Sequence, residues 1–389
     1  MPLTPEQRAA EIRASVPPGA SVAEDVATII RHVRKDGDLA VEEMEAEVGA
    51  GLSAPFTPPP GALPDDVRAG LLVAIENVRA VAEAGVDEPR TVTLPQGHTV
   101  TLREEPVRRA AVYAPGGRNP YPSTVVMGVV TARAAGVDEV YVVGAPHPVM
   151  VAAAELCGAD GYFAVTGAQA VAALAYGTGS IPAVDVIVGP GSLWVQEAKR
   201  QVSGVVGIDG FAGPSDLTVV ATEGADLEVL AADIAGQAEH GEGSLTVAVS
   251  DNEQILSSLN AQHDVLVATM DEALAFVEAL APEHLQLAGA DAEALAPRIR
   301  SAGCLFVGSA SGTAFGDYVA GSNHVLPTEG AARFASGLNV RHFRRRMAEV
   351  RVGDAGAALA AAGVPIAEAE SFALHAASMS LRNRSRPAP

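Results

Sequence analysis

A glutamine and a histidine stand three residues apart near the end of a predicted helix. Gln237 and His240 belong to the segment Gln-Ala-Glu-His that Gly241 terminates, so both side chains lie on one face of that helix. Together they could supply half of a site for a metal that takes nitrogen and oxygen ligands. A second interpretation needs no metal: the histidine caps the last carbonyl groups of the helix and interacts with its dipole.

An acid and an imidazole are adjacent at Glu283 and His284, between Pro282 and an apolar segment that predicts a strand. Two proton-transfer groups at the edge of a sheet would suit general acid–base catalysis. The alternative is an exposed turn that Pro282 and Glu283 open.

Residues 316–324 are mostly small or polar and follow another predicted strand. Because open α/β sheets bind ligands beyond the carboxyl ends of parallel strands, Asp317 and His324 are candidate site residues. A helix cap at Asp317 and a surface loop at His324 would explain the same sequence.

Glu370 and His375 are predicted to share a C-terminal helix that starts after Pro365. Five residues correspond to about 140° around a helix axis, so the two side chains cannot point at one small target from the middle of the helix. They could flank a ligand from one side and from above, or serve unrelated surface roles.

Short apolar strands and helices alternate from residue 109 onward, and they must position these side chains. The pattern restarts at Leu217, after the strand at 184–188 and the helix that follows it. The β-α-β-α order predicts parallel sheets with helices on both faces. The predicted fold class is α/β: two Rossmann-like parallel-sheet domains facing each other, with a helical N-terminal segment and a helical C-terminal extension. The basic run at 341–346 is expected to solvate one face of a helix.

Neither series of strands carries the Gly-x-Gly-x-x-Gly fingerprint after its first strand. Residues 115–120 and the loop Gly189-Pro190-Gly191 contain glycines, but their spacing differs from that of the usual pyrophosphate turn. Tight strand-to-helix connections would also explain both loops.

Composition limits the class of protein. The 389 residues are 48% hydrophobic and carry 26 Lys and Arg against 47 Asp and Glu, a formal net charge of −21. Such an acidic surface repels phosphate backbones, so no nucleic-acid partner is expected. We expect no signal peptide and no membrane span, because the first residues are charged and no apolar run approaches about 20 residues. Cys157 and Cys304 form no paired motif, which favours the cytoplasm.

In combination, these segments resemble the histidinol dehydrogenase family. The resemblance covers about residues 109–382 and rests on eight blocks in the family's order, which are far more specific together than any one of them alone. The blocks are 112–117, 167–170, 189–191 with 197–202, 212–215, 237–241, 281–285, 316–318 with 323–328, and Glu370 with His375.

The resemblance implies a zinc ion held by nitrogen and oxygen donors, which are Gln237, His240, Asp317 and His375. The imidazole and amino groups of the substrate would complete an open shell, so that zinc positions the substrate rather than activating water. The implied substrate contacts are these four ligands together with Ser215, His284, His324 and Glu370.

The implied reaction is the four-electron oxidation of L-histidinol to L-histidine through histidinaldehyde, with two NAD molecules in turn, as the last steps of histidine biosynthesis. His284 would act as base in both hydride transfers, and Glu283 would activate the water that hydrates the aldehyde. Tyr113, Gln169 and Ser192 match NAD-contacting positions. The family usually has asparagine where Ser192 stands, and a serine hydroxyl reaches less far than an amide.

The family is an intertwined homodimer with shared active sites, which implies that the C-terminal helices deliver Glu370 and His375 to the partner. The implied domains are an N-terminal helical arm at 1–14, a first α/β domain at 15–112 and 214–338, a second α/β domain at 113–213, and a C-terminal helical dimerisation segment at 339–389.

Three other functions stay open at this point. A related zinc- and NAD-dependent dehydrogenase for another small polar alcohol or diol would keep the same ligands, although Ser215, His324 and Glu370 at the matching substrate positions argue against it. A zinc-dependent hydrolase would use zinc, glutamate and histidine without NAD. A non-catalytic small-molecule binding protein would leave Glu283 and His284 without a role.

Overall fold

A computed structural model describes residues 3–16, 21–48, 63–115, 119–241 and 243–382. The chain divides into a larger unit, Met1–Gly85 with Val107–Phe343, and a smaller unit, Val86–Pro106 with Arg344–Pro389. Within the described ranges, no helix is both long enough and apolar enough to cross a membrane.

Helices and strands alternate through most of the chain. The helices are α1 (Pro5–Ala14), α2 (Ala23–Asp36), α3 (Asp38–Val48), α4 (Asp65–Ala84), α5 (Pro122–Ala134), α6 (Pro148–Cys157), α7 (Gly167–Tyr176), α8 (Leu193–Val202), α9 (Leu227–Ala238), α10 (Glu253–Leu259), α11 (Met270–Leu280), α12 (Ala290–Glu293), α13 (Thr313–Tyr318), α14 (Gly356–Ala369) and α15 (Ala373–Leu381). The strands are β1 (Arg90–Thr93), β2 (Thr99–Pro106), β3 (Arg109–Tyr113), β4 (Glu139–Val143), β5 (Gly161–Phe163), β6 (Val186–Val188), β7 (Gly207–Ile208), β8 (Asp216–Ala221), β9 (Leu245–Ser250), β10 (His263–Leu266), β11 (His284–Ala288), β12 (Cys304–Val307) and β13 (Arg344–Arg351).

The first parallel sheet of the larger unit has the spatial order β5-β4-β3-β6-β7. In its central strand, Ala110 pairs with Val140 on one side and with Val186 on the other. Ala110 and Val112 are fully buried, as expected for a parallel strand that helices cover on both faces. Strand β3 crosses the predicted domain boundary between residues 112 and 113 and lies wholly in this sheet. The domain limits stay a prediction.

The second parallel sheet has the order β10-β9-β8-β11-β12. Counted along the chain, both sheets therefore have the strand order 3-2-1-4-5, and the α/β prediction is confirmed. His284, the first residue of β11, pairs with Leu217 in β8 and with Cys304 in β12. The residues just before β8 and β11 consequently lie side by side at the amino edge of this sheet.

Seven residues, 209–215, connect the last strand of the first sheet to the first strand of the second. This connection is held by hydrogen bonds: the Gly189 N–H donates to Asp209 Oδ2 at 2.6 Å, and the Ala212 N–H donates to Gln196 Oε1 at 3.0 Å. The carboxyl edge of the first sheet is therefore joined to the amino edge of the second by a short, ordered segment.

The predicted helical N-terminal segment is confirmed, and its helices contribute to both cores. Val26, Ile30 and Val33 of α2 are buried in the core that contains α7 and the first sheet. Ala9 and Ile12 of α1 are buried with α11 against the second sheet. The apolar positions on one face of each helix explain this packing.

The smaller unit contains an antiparallel sheet with the order β1-β2-β13, and helices α14 and α15. The prediction that the basic run 341–346 lies on a helix is wrong, because residues 340–343 form a 3₁₀ turn and β13 starts at Arg344. Arg346 pairs with Glu104 on the neighbouring strand at 2.7 Å. Cross-strand carboxylates from a distant part of the sequence thus balance the arginine charges.

Glu370 and His375 do not share a helix, so the predicted angle of about 140° between them is wrong. Helix α14 begins at Gly356 and contains Pro365, because the alanine-rich turns before the proline favour helix strongly enough. Glu370 follows its last residue, Ser371 adopts a positive φ of 64°, and a new helix carries His375.

Candidate active site

Glu283 and His284 lie at the amino edge of the second sheet, where both side chains are buried. Ala281 ends α11 in the left-handed region, with φ 47°, and turns the chain into β11. The apolar strand that follows is buried along its whole length, which fixes the register of both groups. The alternative of an exposed turn at Glu283 does not hold.

The carboxylate of Glu283 is bound by two donors from the start of β8. Glu283 Oε2 accepts hydrogen bonds from Ser215 Oγ at 2.6 Å and from the Asp216 N–H at 3.0 Å. Ser215 Oγ in turn accepts a hydrogen bond from Gln237 Nε2 at 2.8 Å. A chain of hydrogen bonds therefore runs from Gln237 through Ser215 to Glu283, and it leaves Oε1 of Gln237 available as a ligand atom.

The imidazole of His284 lies between a backbone carbonyl and two carboxylates. Nδ1 is 3.2 Å from the carbonyl oxygen of Asp216 and can only donate to it, so Nε2 is the nitrogen that faces Asp317 Oδ1, at 3.4 Å. The ring stacks on Phe306, with centroids 6.0 Å apart. Burial alone would lower the pKa of His284, but the Asp317 and Glu283 carboxylates outweigh it and raise that pKa well above 6.5. The two carboxylates thus make the imidazole a stronger base.

Asp317 and His324 lie beside His284, not at the carboxyl edge where the sequence placed them. After β12, the chain returns through α13 toward the amino edge of the sheet, and Asp317 is near the end of that helix. Burial raises the pKa of Asp317, but the His284 imidazole outweighs it and the pKa of the carboxyl is lowered. The prediction of a site at the carboxyl ends is therefore wrong for the second sheet.

His324 links the two sheets. Its Nδ1 is 2.8 Å from the carbonyl oxygen of Asp317, and its Nε2 is 3.1 Å from Thr124 Oγ1 on α5. Since a carbonyl only accepts, Nδ1 carries the proton and the Thr124 hydroxyl donates to Nε2. Burial lowers the pKa of His324, which agrees with a neutral ring.

His240 follows the last turn of α9 and is exposed. Its Nδ1 is 3.1 Å from the backbone carbonyl of Gln237, so Nδ1 donates and Nε2 remains free to bind a ligand. A carbonyl that fixes the tautomer of a histidine is a frequent companion of metal-binding imidazoles. The capping interpretation and the metal interpretation are both compatible with this contact.

The donor chemistry of the larger unit fits the predicted zinc ligands. Gln237 offers an amide oxygen, His240 offers Nε2 and Asp317 offers a carboxylate, which are donors that zinc accepts. Across the described ranges, no group of three or more His, Cys, Asp or Glu side chains is arranged to hold a metal ion. The fourth predicted ligand, His375, belongs to the smaller unit.

Glu370 and His375 are exposed in the smaller unit. The ring of Phe372 meets the His375 imidazole edge-on, with centroids 5.1 Å apart. Both side chains are open to a binding partner, and their contribution to the site stays a prediction.

The candidate cofactor residues follow the carboxyl ends of the first sheet. Tyr113 ends β3, and its hydroxyl accepts a hydrogen bond from the Gly167 N–H at 3.1 Å. Gln169 Nε2 donates to the buried Glu45 carboxylate at 2.8 Å, and Ser192 occupies the N-cap position of α8 without a capping hydrogen bond from its side chain. Gly116 and Gly117, in the loop that sequence analysis singled out, lie outside the described residues.

The loops after β3 and β6 lie at the point of the first sheet where consecutive connections lead in opposite directions. Strands β3 and β6 are neighbours, while their following helices lead to opposite sides, and open α/β sheets bind nucleotides at such a position. Gly189 has φ 113°, and a Cβ there would collide with the carbonyl oxygen of Tyr113. Glycine is therefore required where the two strand ends meet.

Sequence analysis missed three residues that touch the site. Asp216, Glu45 and Thr124 bind Glu283, Gln169 and His324, respectively. Only Asp216 left a signal, because a charged residue at the start of a mostly apolar, fully buried strand needs a partner.

Comparisons with known proteins show the family of the chain. A family model described as histidinol dehydrogenase matches residues 15–265 and 257–383. The chain is 40% identical to the histidinol dehydrogenase of Halobacterium salinarum over 93% of each chain, and 41% identical to that of Mycobacterium tuberculosis over 87% of each. The crystal structure of histidinol dehydrogenase from Elizabethkingia anophelis gives a TM-score of 0.90 at 26% identity, covering 96% of this chain and 95% of that chain. The chain therefore belongs to the histidinol dehydrogenase family, NAD-dependent oxidoreductases of histidine biosynthesis.

Proposed function

We propose that the chain oxidises L-histidinol to L-histidine through histidinaldehyde, with two NAD molecules and zinc. One observation carries the proposal. The acid–base pair Glu283 and His284 contacts two of the candidate ligands: hydrogen bonds through Ser215 join Glu283 to Gln237, and His284 Nε2 lies 3.4 Å from Asp317 Oδ1. Proton transfer and substrate positioning therefore meet at one place.

In the first oxidation, His284 takes the hydroxyl proton of histidinol while a hydride leaves the same carbon for NAD. The Asp216 carbonyl holds Nδ1, so Nε2 is the nitrogen that receives the proton. The Asp216 carbonyl, which accepts from Nδ1, and the Glu283 carboxylate, 3.6 Å from Nδ1, stabilise the imidazolium that this transfer forms.

In the second oxidation, Glu283 takes a proton from water as the oxygen adds to the aldehyde carbon, while the protonated His284 gives its proton to the aldehyde oxygen and becomes a base again. The resulting hydrate gives a hydride to the second NAD, and His284 takes the proton of one hydroxyl. Ser215 and the Asp216 N–H hold the Glu283 carboxylate in place, so that it can take a proton from the attacking water.

Gln237, His240 and Asp317, with His375, would hold the zinc ion. Bound zinc supplies a fixed positive charge that binds the imidazole and amino nitrogens of the substrate. We propose that Glu370 and His375 come from the partner of a homodimer with shared active sites, since both belong to a separate unit and are exposed there. Ser215 and His324 would contact the substrate from the larger unit.

NAD would bind at the carboxyl edge of the first sheet, against Tyr113, Gln169 and Ser192. The domain limits given by the sequence, a cytoplasmic location, and the absence of nucleic-acid and membrane partners belong to the same proposal. The two free cysteines, Cys157 and Cys304, support the cytoplasmic location.

NADH formation tests the proposal. Metal-stripped protein is mixed with NAD and histidinol, and absorbance at the nicotinamide band is followed before and after zinc is restored. We expect two NADH for each histidine formed, with activity only after zinc is added. Hydrolysis without NADH would favour the hydrolase, and faster turnover of another small alcohol would favour the related dehydrogenase.

A further inference from the structure

The first helix of the chain is tied to the catalytic edge by one buried ion pair. Arg13, near the end of α1, donates from Nη1 to Asp216 Oδ2 at 2.7 Å. Asp216 is 1% exposed and Arg13 is 21% exposed. A buried carboxylate needs such a partner, because an uncompensated charge in this environment is strongly unfavourable.

Asp216 binds the acid–base pair through three different atoms. Its Oδ1 accepts the Glu283 N–H at 2.9 Å, and its own N–H donates to Glu283 Oε2 at 3.0 Å. Its carbonyl oxygen lies 3.2 Å from His284 Nδ1. One residue therefore fixes the backbone of Glu283, the carboxylate of Glu283 and the tautomer of His284.

Arg13 holds the turn that leads into the same pair. Nε and Nη2 donate to the Leu280 carbonyl at 3.2 and 2.8 Å, and Nη2 also donates to the Ala281 carbonyl at 3.2 Å. These carbonyls end α11, where a cation is favoured. The guanidinium thus joins the helix end before Glu283 to the carboxylate that binds Glu283.

We propose that Asp216 and Arg13 are positioning residues for the reaction: through them, helix α1 sets the geometry of Glu283 and His284. This inference rests on the proposed function. Its distinct content is that Asp216 and Arg13, neither of which is a candidate substrate contact or metal ligand, control the chemical steps through the residues that they bind.

Four variants test the inference. Asp216→Asn keeps an oxygen for the Glu283 N–H but removes the charge that pairs with Arg13. Arg13→Met removes the charge and both carbonyl contacts, whereas Arg13→Lys keeps the charge. Arg8→Met is the matched control, since Arg8 lies on the same helix and also donates to a backbone carbonyl, that of Leu266 at 3.1 Å.

The measurements are kcat and KM for histidinol and for histidinaldehyde, the zinc content, and the melting temperature. We expect Asp216→Asn and Arg13→Met to lower kcat per folded, zinc-loaded site by about 10- to 100-fold. KM for NAD should stay unchanged, Arg13→Lys should recover part of the rate, and Arg8→Met should match the original protein. A purely structural pair would lower the melting temperature and leave kcat per folded site unchanged, which would overturn the inference. If Asp216→Asn does not fold, kcat per folded site in Arg13→Met and Arg13→Lys decides between a positioning role and a purely structural role.

Amide hydrogen exchange gives a readout that does not depend on turnover. The N–H groups of Asp216 and Glu283 should exchange faster in Asp216→Asn and Arg13→Met than in the original protein and in Arg8→Met. Equal exchange rates would overturn the inference. Absence of NADH formation from the original protein would contradict the proposed function instead, while the exchange rates would still report on the positioning.

Discussion

The two parallel sheets of the larger unit have the same strand order but present different edges to the candidate site. In the first sheet, Tyr113 and the loop after β6 follow the carboxyl ends of strands. In the second, Ser215 and Glu283 precede the amino ends of strands. The proposed function thus assigns a cofactor to one edge and acid–base chemistry to the opposite edge of the same architecture, so strand order alone does not locate a catalytic group.

The two edges differ in the groups that they present to a ligand. Carboxyl ends lead into helix N-termini and glycine-bearing turns, which suit a nucleotide. At the amino edge of the second sheet, side chains from β8, α9, β11 and α13 meet around His284. Substitutions at the second-sheet edge should therefore change kcat, and those at the first-sheet edge should change KM for NAD.

The largest expected effect comes from His284→Asn at the second-sheet edge. Loss of the base should lower kcat by about 10³- to 10⁴-fold, because both hydride transfers need it. Zinc content should be unchanged, since His284 is not among the candidate ligands. His263→Asn, in the partly exposed edge strand β10, is the control. Loss of zinc from the His284 variant would contradict the assigned roles.

Glu283→Gln should separate the two half-reactions. An amide cannot take a proton from water, so oxidation of histidinaldehyde should slow by about 100-fold and oxidation of histidinol should slow less. Single-turnover NADH formation from each substrate measures both rates, with Glu253→Gln on α10 as the control. Equal slowing of both halves would count against water activation by Glu283.

Lys199→Met tests the first-sheet edge. The buried Lys199 ammonium pairs with Asp209 and donates to the Gly189 carbonyl at 3.0 Å, while Asp209 accepts the Gly189 N–H. Removing the ammonium leaves a buried carboxylate unpaired, so the free energy of unfolding should fall by about 3–5 kcal/mol. KM for NAD should rise by about 10-fold, equivalent to about 1.4 kcal/mol of binding.

The exposed neighbour on the same helix is the control for that substitution. Arg200→Met removes only a surface pair with Glu197, and stability should change by less than about 0.5 kcal/mol. If Lys199→Met lowers kcat and leaves KM for NAD unchanged, the assignment of cofactor binding to the first-sheet edge is incorrect.

The smallest expected effect is at Ser192. Ser192→Asn restores the longer amide, and one added hydrogen bond of about 1 kcal/mol should lower KM for NAD by roughly 5-fold. Ser203→Asn, at the other end of α8, should leave it unchanged. An unchanged KM in Ser192→Asn would mean that this position does not contact the cofactor.

Local patterns in the sequence predicted the alternation of strands and helices, because runs such as 217–221 and 245–249 are mostly apolar and bounded by polar turns. They failed at 341–346, where a 3₁₀ turn is followed by the strand β13, whose arginines are balanced by Glu104. Their partners are some 240 residues away, and a local pattern does not contain them. The apolar character of β13 is too weak to identify it without its neighbours.

In the candidate site, too, local patterns predicted some features, whereas others depend on contacts between distant residues. The adjacency of Glu283 and His284 indicated acid–base chemistry, and the spacing of Gln237 and His240 indicated a shared face. Neither pattern could place Asp317 at the amino edge, because that depends on the return of the chain through α13. The contact of Arg13 with Asp216 joins residues 203 positions apart, which only the folded chain brings together.

The seven-residue connection between the sheets has a consequence for how the cofactor is exchanged during a turnover. Even fully stretched, residues 209–215 would reach only about 25 Å, and the bonds at Asp209 and Ala212 hold them well short of that. The covalent connection therefore limits how far the two edges can separate. A cofactor at the first edge and a substrate at the second would stay within that limit while one NAD replaces another.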